Sequence, residues 1–179
     1  MKLLLVLSTI VASASAMACN ADMLMNPPES SRAYSSVWEH LSRSMLNSNI
    51  GWSAQEATAG QWMQIDLGRN MEVSGLMIQG RADYPQQWVS KIKVQYFTQR
   101  LKAAWVPEKN EMETAEFLIP NTSSNSICFD HRFVFARYLR IFVQEWNEWP
   151  SMRAGVYVKD DGLPSTKQQR MNNDDDWNE

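Results

Sequence analysis

Residues Lys91–Tyr96 read KIKVQY, a stretch in which polar residues alternate with Ile92, Val94 and Tyr96. A strict period of two is typical of a β-strand that has one face in the core and the other in solvent. We therefore predict a half-buried strand here, with these three side chains facing inward.

Similar short patterns occur along most of the chain. Inward-facing residues are predicted for three segments: Met63, Ile65 and Leu67 in Trp62–Leu67; Leu139, Ile141 and Val143 in Tyr138–Val143; Met152, Ala154, Val156 and Val158 in Met152–Val158. Further strands are predicted at Val73–Ile78, Thr114–Ile119 and Ile127–Phe135. No segment has a sustained apolar stripe of period 3.6, which a long amphipathic helix would show. Val37–Met45 comes nearest to one and could hold a turn or two of helix. Many short strands with polar connections predict an antiparallel sandwich or barrel.

The two ends of the chain differ from this central region. Residues 1–18 combine a basic start, the apolar run Leu3–Val11 and small-x-small cleavage patterns at Ala14–Ala16 and Ala16–Ala18, which predicts a secretory signal peptide. Residues 159–179 contain almost no apolar residues and three consecutive aspartates, which predicts a disordered acidic tail. We therefore expect one exported domain at residues 19–158 and a secreted, extracellular protein.

Composition argues against several partners. The chain has 17 basic and 20 acidic residues and no basic run suited to a phosphate backbone, so nucleic acid is not a predicted partner. It has two histidines and two cysteines, without the tight pairs of a zinc site, and no metal or cofactor is predicted. In an exported protein, two cysteines more often form a disulfide.

The segments together resemble the discoidin domains, also called coagulation factor V/VIII C-type domains. The resemblance runs in family order from Cys19 to Val158. It is carried by Gly51–Ser53 (GWS), Gln61–Gly68 (QWMQIDLG), Val73–Arg81 (VSGLMIQGR), Gln87–Val89 (QWV), Lys93–Tyr96 (KVQY), Ala136–Ile141 (ARYLRI), Trp146 and Met152-Arg153. The run Gln79–Val89 (QGRADYPQQWV) is most similar to discoidin lectins.

The resemblance implies an all-β fold, an eight-stranded jelly-roll-like antiparallel β-sandwich. Loops at one end would project as spikes that touch the ligand, and the chain termini would meet at the other end. Family members bind galactose-type glycans, anionic phospholipids, collagen or growth factors. The family usually pairs an early cysteine with one after the last strand, whereas here the second is Cys128. That position should lie near the terminus end of the sandwich, so we predict a disulfide between Cys19 and Cys128.

The stretch Gly80–Trp88, GRADYPQQW, occupies a spike loop of the resemblance. Arg81 offers a planar fork of donors, Asp83 can accept hydrogen bonds from sugar hydroxyls, and Tyr84 offers an aromatic face with a polar tip. The alternative is that Arg81 and Asp83 pair with each other. For Trp88, packing beneath the loop is the favoured interpretation.

Two more segments should join this end of the domain. Trp38, Glu39 and His40 align with the first spike, although a short helix with Trp38 and Leu41 inward is an equal alternative. Trp149 belongs to no predicted strand and is therefore a candidate ligand contact. Trp146 is interpreted as a core residue.

These residues predict a secreted, non-catalytic binding or adhesion module that recognises cell-surface or matrix glycans or glycoproteins, as a lectin does. Binding to anionic phospholipid membranes or to collagen is the alternative, and the acidic residues near the aromatic ones oppose an anionic membrane. An enzyme is not predicted, because His40 and His131 lie far apart and no nucleophile signature is present. Since a single small domain binds a glycan weakly, homo-oligomerisation would add avidity.

Asn121-Thr122-Ser123 is the only N-x-Ser/Thr sequon of the chain. We predict that Asn121 is exposed and, in a eukaryotic host, glycosylated. We also expect it to lie away from the spike loops.

Overall fold

The computed structural model describes residue 19 and residues 23–98, 103–106, 115–129 and 133–159. The predicted signal peptide, His131 and the predicted tail beyond Lys159 lie outside the described residues. Within the described ranges, no helix has the length and hydropathy needed to cross a membrane. The strands are β1 Met23–Met25, β2 Arg32–Tyr34, β3 Trp52–Ser53, β4 Trp62–Gln79, β5 Trp88–Phe97, β6 Ala104–Trp105, β7 Phe117–Leu118, β8 Asn125–Cys128, β9 Val134–Asn147 and β10 Ser151–Val158, and a 3-10 turn covers Glu29–Ser31.

Strand β4 pairs with four other strands of the sheet. It pairs antiparallel with β2, β8, β9 and β10, and β9 pairs in turn with β5. The sequence predicted two strands, Trp62–Leu67 and Val73–Ile78, which are parts of this one strand. Its register with β9 shifts between Asp66 and Met71, where Gly68 has a φ of 79° that glycine adopts without a steric penalty. The sheet curls, and the predicted antiparallel all-β fold is confirmed.

The core lies where the period-two pattern places it. Every residue predicted to face inward in the segments Trp62–Leu67, Tyr138–Val143 and Met152–Val158 is buried, as are Ile92 and Val94. Tyr96 is only half-buried and packs against the margin of the core. The alternation of apolar and polar residues therefore determined the inner face of the main strands.

A disulfide joins Cys19 to Cys128 at the terminus end of the domain, as predicted. The two Cα atoms lie 5.7 Å apart, and Met23 pairs with Val158 at the same end. The backbone is tight here, because a Cβ at Gly75 would lie 2.1 Å from the Ile127 carbonyl oxygen and 2.9 Å from Cys19 Sγ. Only glycine allows β4 and β8 to approach this closely beside the disulfide.

Three predicted elements are wrong in detail. The predicted strand Ile127–Phe135 is not continuous, since β8 ends at Cys128 and β9 begins at Val134. The predicted strand Thr114–Ile119 is reduced to the two residues of β7, and Thr114 lies outside the described residues. No helix forms at Val37–Met45, because this backbone bonds to β3 instead.

Three connections between strands lie at the end of the sandwich opposite the disulfide. Strand β4 ends at Gln79 and β5 begins at Trp88, so residues 80–87 form a loop at this end. Residues 148–150 connect β9 to β10, and β3 pairs with the start of β10 through Ser53 and Ser151. The long connection between β2 and β3 thereby reaches the same end.

We predict that Gly75→Ala destabilises the domain. The added methyl group cannot avoid the Ile127 carbonyl oxygen, so the β4–β8 pair must shift, which costs about 1–3 kcal/mol. Thermal unfolding followed by circular dichroism measures the loss, with Ala33→Ser at an exposed position of β2 as the control. An unchanged melting temperature in Gly75→Ala would contradict this description of the β4–β8 contact.

Candidate ligand-binding site

The loop at residues 80–87 is closed by one ion pair. Arg81 Nε and Nη2 donate to the two carboxylate oxygens of Asp83, each at 2.7 Å, and Nη1 donates to Gln87 Oε1 at 3.0 Å. The hydrogen bonds from Arg81 lower the pKa of the Asp83 carboxyl, and Asp83 raises the pKa of Arg81. Of the two roles that the sequence left open, the structure therefore displays the mutual pairing.

Tyr84 lies near the tip of this loop and is 47% exposed. The Arg81 guanidinium carbon is 6.0 Å from the centre of its ring, and the Tyr84 carbonyl accepts a hydrogen bond from Gln87 N. The ion pair thus stiffens the loop that presents an exposed aromatic ring.

A pair of tryptophans forms the second part of this end. The Trp38 and Trp149 rings meet edge to face, with centroids 5.3 Å apart, and Trp38 is 42% exposed. Trp149 is half-buried, and its indole N–H donates to the Ala54 carbonyl at 2.8 Å. The alternative of an inward Trp38 is wrong, whereas Leu41 is buried as that alternative expected. We call Trp38 and Trp149 the tryptophan pair.

Both members of the tryptophan pair adjoin a strained backbone position. Glu39 follows Trp38 with a φ of 48°, and Glu148 precedes Trp149 with a φ of 51°. Non-glycine residues seldom adopt this left-handed conformation, and such positions concentrate at ligand sites. Each turn fixes the backbone direction on one side of a ring.

The ionisable groups beside the tryptophan pair are open to solvent. The side chains of His40 and Glu39 are 81% and 69% exposed, and His40 Nδ1 lies 3.9 Å from the nearer Glu39 carboxylate oxygen. Glu148 is also exposed. These groups can therefore reach the polar atoms of an incoming ligand.

Polar side chains, two of them buried serines, connect the 80–87 loop to the tryptophan pair. Ser53 Oγ and Ser151 Oγ lie 2.6 Å apart, and Ser151 Oγ lies 3.4 Å from Gln87 Oε1, the atom that Arg81 also contacts. Ser53 O accepts a hydrogen bond from Trp38 N at 2.9 Å. No role was predicted for Ser53, Gln87 or Ser151, since the burial of the two serines depends on the pairing of β3 with β10.

Arg153 anchors two of the connections from below. Its Nε donates to the Gly80 carbonyl at 2.8 Å and its Nη1 to the Ser48 carbonyl at 2.9 Å. Burial lowers the pKa of Arg153. Arg153 was part of the family resemblance, but only the structure shows that it holds the loop bases together.

Two further tryptophans support the site from within. Trp88 is half-buried and packs against the core, as the favoured interpretation held, and its Nε1 is buried without a hydrogen-bond partner among the described residues. Trp146 is also half-buried against the core.

The sequon does not lie where the sequence predicted. The Thr122 carbonyl accepts a hydrogen bond from Gly80 N at 3.0 Å, so Asn121-Thr122-Ser123 contacts the base of the 80–87 loop. Asn121 is exposed, as predicted. The expected distance from the spikes is wrong because β8 pairs with the end of β4 that leads into this loop.

The described part of the chain contains no group of three histidine, cysteine or acidic residues that could hold a metal ion. Loops with exposed aromatic rings and open polar groups, mounted on one end of an antiparallel sandwich, define a ligand-binding β-sandwich module. The profile of the F5/8 type C domain matches residues 28–156. The chain therefore belongs to this discoidin-domain family, whose members are binding modules.

Relatives and solved structures agree with this assignment. The chain is 28% identical to mouse lactadherin over 118 residues, which cover 65% of this chain and 25% of lactadherin. It thus spans about a quarter of that relative's length. Discoidin II of Dictyostelium discoideum superposes with a TM-score of 0.60 at 22% identity, covering 75% of this chain and 55% of discoidin II. The galactose-bound family 32 carbohydrate-binding module of C. perfringens NanJ gives 0.58 at 18% identity, covering 75% and 99%.

We predict that the carboxyl group of Asp83 titrates below its ordinary value of about 3.9, because the hydrogen bonds from Arg81 favour the ionised form. The contribution of this pair to loop order is present above that value and is lost as the pH falls through the lower folded-state pKa. An NMR titration of the Asp83 side-chain carbonyl carbon measures the midpoint. In Arg81→Gln the midpoint should rise towards the ordinary value, and an equal midpoint in both proteins would contradict the pairing.

Proposed function

We propose that the chain is a secreted, non-catalytic binding module that recognises glycans on cell surfaces or in the matrix through its loop end. The tryptophan pair, whose Trp38 ring is exposed, carries this proposal. An aromatic face covers the apolar C–H face of a sugar ring, and aromatic residues contribute large contact area with little loss of conformational entropy. Trp38 is already held by Ser53 and by the turn at Glu39, so little ordering remains at binding.

The polar groups around the tryptophan pair suit a ligand rich in hydroxyls. The Glu39 and Glu148 carboxylates can accept hydrogen bonds from sugar hydroxyls, and His40 can donate or accept. The negative charge of the two carboxylates disfavours a phosphate or sulfate at the same place. The galactose bound to the NanJ module, which has the same fold, supports a neutral, galactose-type sugar as the first ligand to test.

In this proposal Arg81 and Asp83 shape the 80–87 loop and position Tyr84, instead of contacting the sugar directly. Arg81 Nε and Nη2 both donate hydrogen bonds to the Asp83 carboxylate in the described structure. Replacing either residue with alanine then weakens binding indirectly, by loosening the loop.

Secretion and multivalency complete the proposal. The disulfide between Cys19 and Cys128 suits an oxidising compartment, in agreement with the leader predicted for residues 1–18. A single shallow site of this kind binds one sugar weakly, so a homo-oligomer or a clustered glycan would supply avidity.

We predict that Trp38→Ala lowers the affinity for a galactose-terminated glycan on the order of tenfold or more, because it removes the exposed aromatic face. The free energy of unfolding should fall by only about 0.5–1.5 kcal/mol, because the edge-to-face contact with Trp149 is lost but the core is untouched. Isothermal titration calorimetry and thermal unfolding measure the two quantities.

Phe135→Ala is the matched control. Phe135 is 57% exposed and lies near the start of β9, away from the loop end, so its loss should leave the affinity unchanged. Equal affinities in the wild-type protein and Trp38→Ala would refute the tryptophan pair as the contact surface.

Binding to an anionic membrane is the second candidate, since exposed Trp38 and Tyr84 could enter an interface. The isosteric variants Glu39→Gln and Glu148→Gln should change the affinity for a glycan and for a membrane in opposite directions. For a glycan they remove charged hydrogen-bond acceptors and weaken binding, whereas for a membrane they remove repulsion and strengthen it. Glycan affinity and flotation with phosphatidylserine vesicles, measured side by side, decide between them. Stronger vesicle binding without any sugar binding would replace the glycan proposal.

A further inference from the structure

We propose that Asn121 carries an N-linked oligosaccharide that stands beside the 80–87 loop and limits the access of large ligands to the loop end. The modification itself is independent of what the domain binds. Its effect on affinity rests on the proposed glycan-binding function.

The local structure of the sequon is compatible with modification. Asn121 and Ser123 are both exposed, and Asn121 Oδ1 accepts a hydrogen bond from Ser123 N at 2.8 Å. Asn125 Nδ2 donates to the carbonyl oxygens of Asn121 and Ser123, at 3.0 and 2.6 Å. The acceptor side chain therefore lies on a closed polar turn at the surface, where an enzyme can reach it.

The path of the chain places this turn across the base of the 80–87 loop. Before the turn, Ile119 N donates to the Ser90 carbonyl at 2.8 Å, on the strand that leaves the loop. After Asn121, the Thr122 carbonyl accepts from Gly80 N at 3.0 Å, on the side that enters the loop. Asn121 lies between these two contacts, so its attachment point is fixed relative to both sides of the loop.

The contact at Gly80 leaves little room for the turn to move away. A Cβ at Gly80 would lie 3.0 Å from Thr122 Cβ, and Gln79 Nε2 donates to Ser124 Oγ at 2.8 Å. The eight residues of the loop must go out and return, so the loop rises at most about 14 Å above its base. A branched oligosaccharide is bulky on this scale. It would hinder a polymer or a surface more than a free monosaccharide.

The experiment compares the full chain secreted from a eukaryotic host with Ser123→Ala. This variant destroys the sequon while it keeps Asn121 and the backbone N–H that Asn121 binds. Enzymatic removal of the glycan is less suitable, because it converts the asparagine to aspartate. Intact mass spectrometry measures the occupancy of Asn121. The same two proteins from a bacterial periplasm, where neither carries a glycan, are the matched control and should bind alike.

Two measurements report on shielding. Hydroxyl-radical footprinting of Tyr84 and Pro85 requires no ligand, and we expect several-fold slower oxidation in the glycosylated protein than in Ser123→Ala. For binding, the probes are an immobilised galactose-terminated polymer and free galactose. We expect Ser123→Ala to associate several-fold faster with the polymer, with free galactose affinity unchanged.

An unmodified Asn121 in the secreted wild-type protein would overturn the inference. So would equal footprints at full occupancy, whether or not galactose binds. If none of the proteins binds galactose or the polymer while the footprints differ, the glycan-binding function fails and the shielding stands.

Discussion

The hydrogen bonds of the buried Arg32 guanidinium are the interaction on which the position of the loop end depends. It donates to the carbonyls of Pro27, Ser44 and Ala154 and to the side chain of Asn26, at distances of 2.9 to 3.1 Å. None of these bonds goes to a carboxylate, and burial lowers the pKa of Arg32. Removing the side chain would take one hydrogen bond from each of these acceptors, at about 1–3 kcal/mol for any acceptor left unsatisfied, whereas the Ser44 carbonyl keeps its bond from Ala154 N. Ser44 lies in the β2–β3 connection that also carries Trp38. Because Arg32 bonds both Ser44 and Ala154, it holds this connection against β10.

From this anchor, the loop end is assembled by contacts between segments that lie far apart in sequence. β3 and β10 meet through Ser53 and Ser151, and Arg153 joins the base of the 80–87 loop to the β2–β3 connection. Within the 80–87 loop, the Arg81–Asp83 pair adds a local closure. A site built in this way is largely ordered before a ligand arrives, which reduces the entropy lost on binding. The strain at Glu39 and Glu148 persists because the surrounding hydrogen bonds hold these turns.

The sequence predicted those features of the fold that depend on local alternation. The inner faces of β4, β5, β9 and β10 follow from period two, because burial of one face selects the register. The continuity of β4 through Gly68 did not follow, since a glycine can equally end a strand or bend it. The absent helix at Val37–Met45 and the position of Asn121 depend on pairing with β3 and β4, which local pattern does not contain. Similarly, the sequence placed Arg81 and Asp83 on one loop but could not decide whether they bind each other.

We propose the tryptophan pair as the contact surface for a neutral sugar. The chain has eight tryptophans, so a ¹H–¹⁵N NMR titration with galactose can follow their indole N–H signals separately. We predict that the signals of Trp38 and Trp149 shift together with the ligand, while that of Trp52, which is fully buried and bonded to the Ser36 carbonyl, stays in place. Shifts confined to residues away from the loop end, or saturable binding without any change at Trp38, would contradict this role of the tryptophan pair.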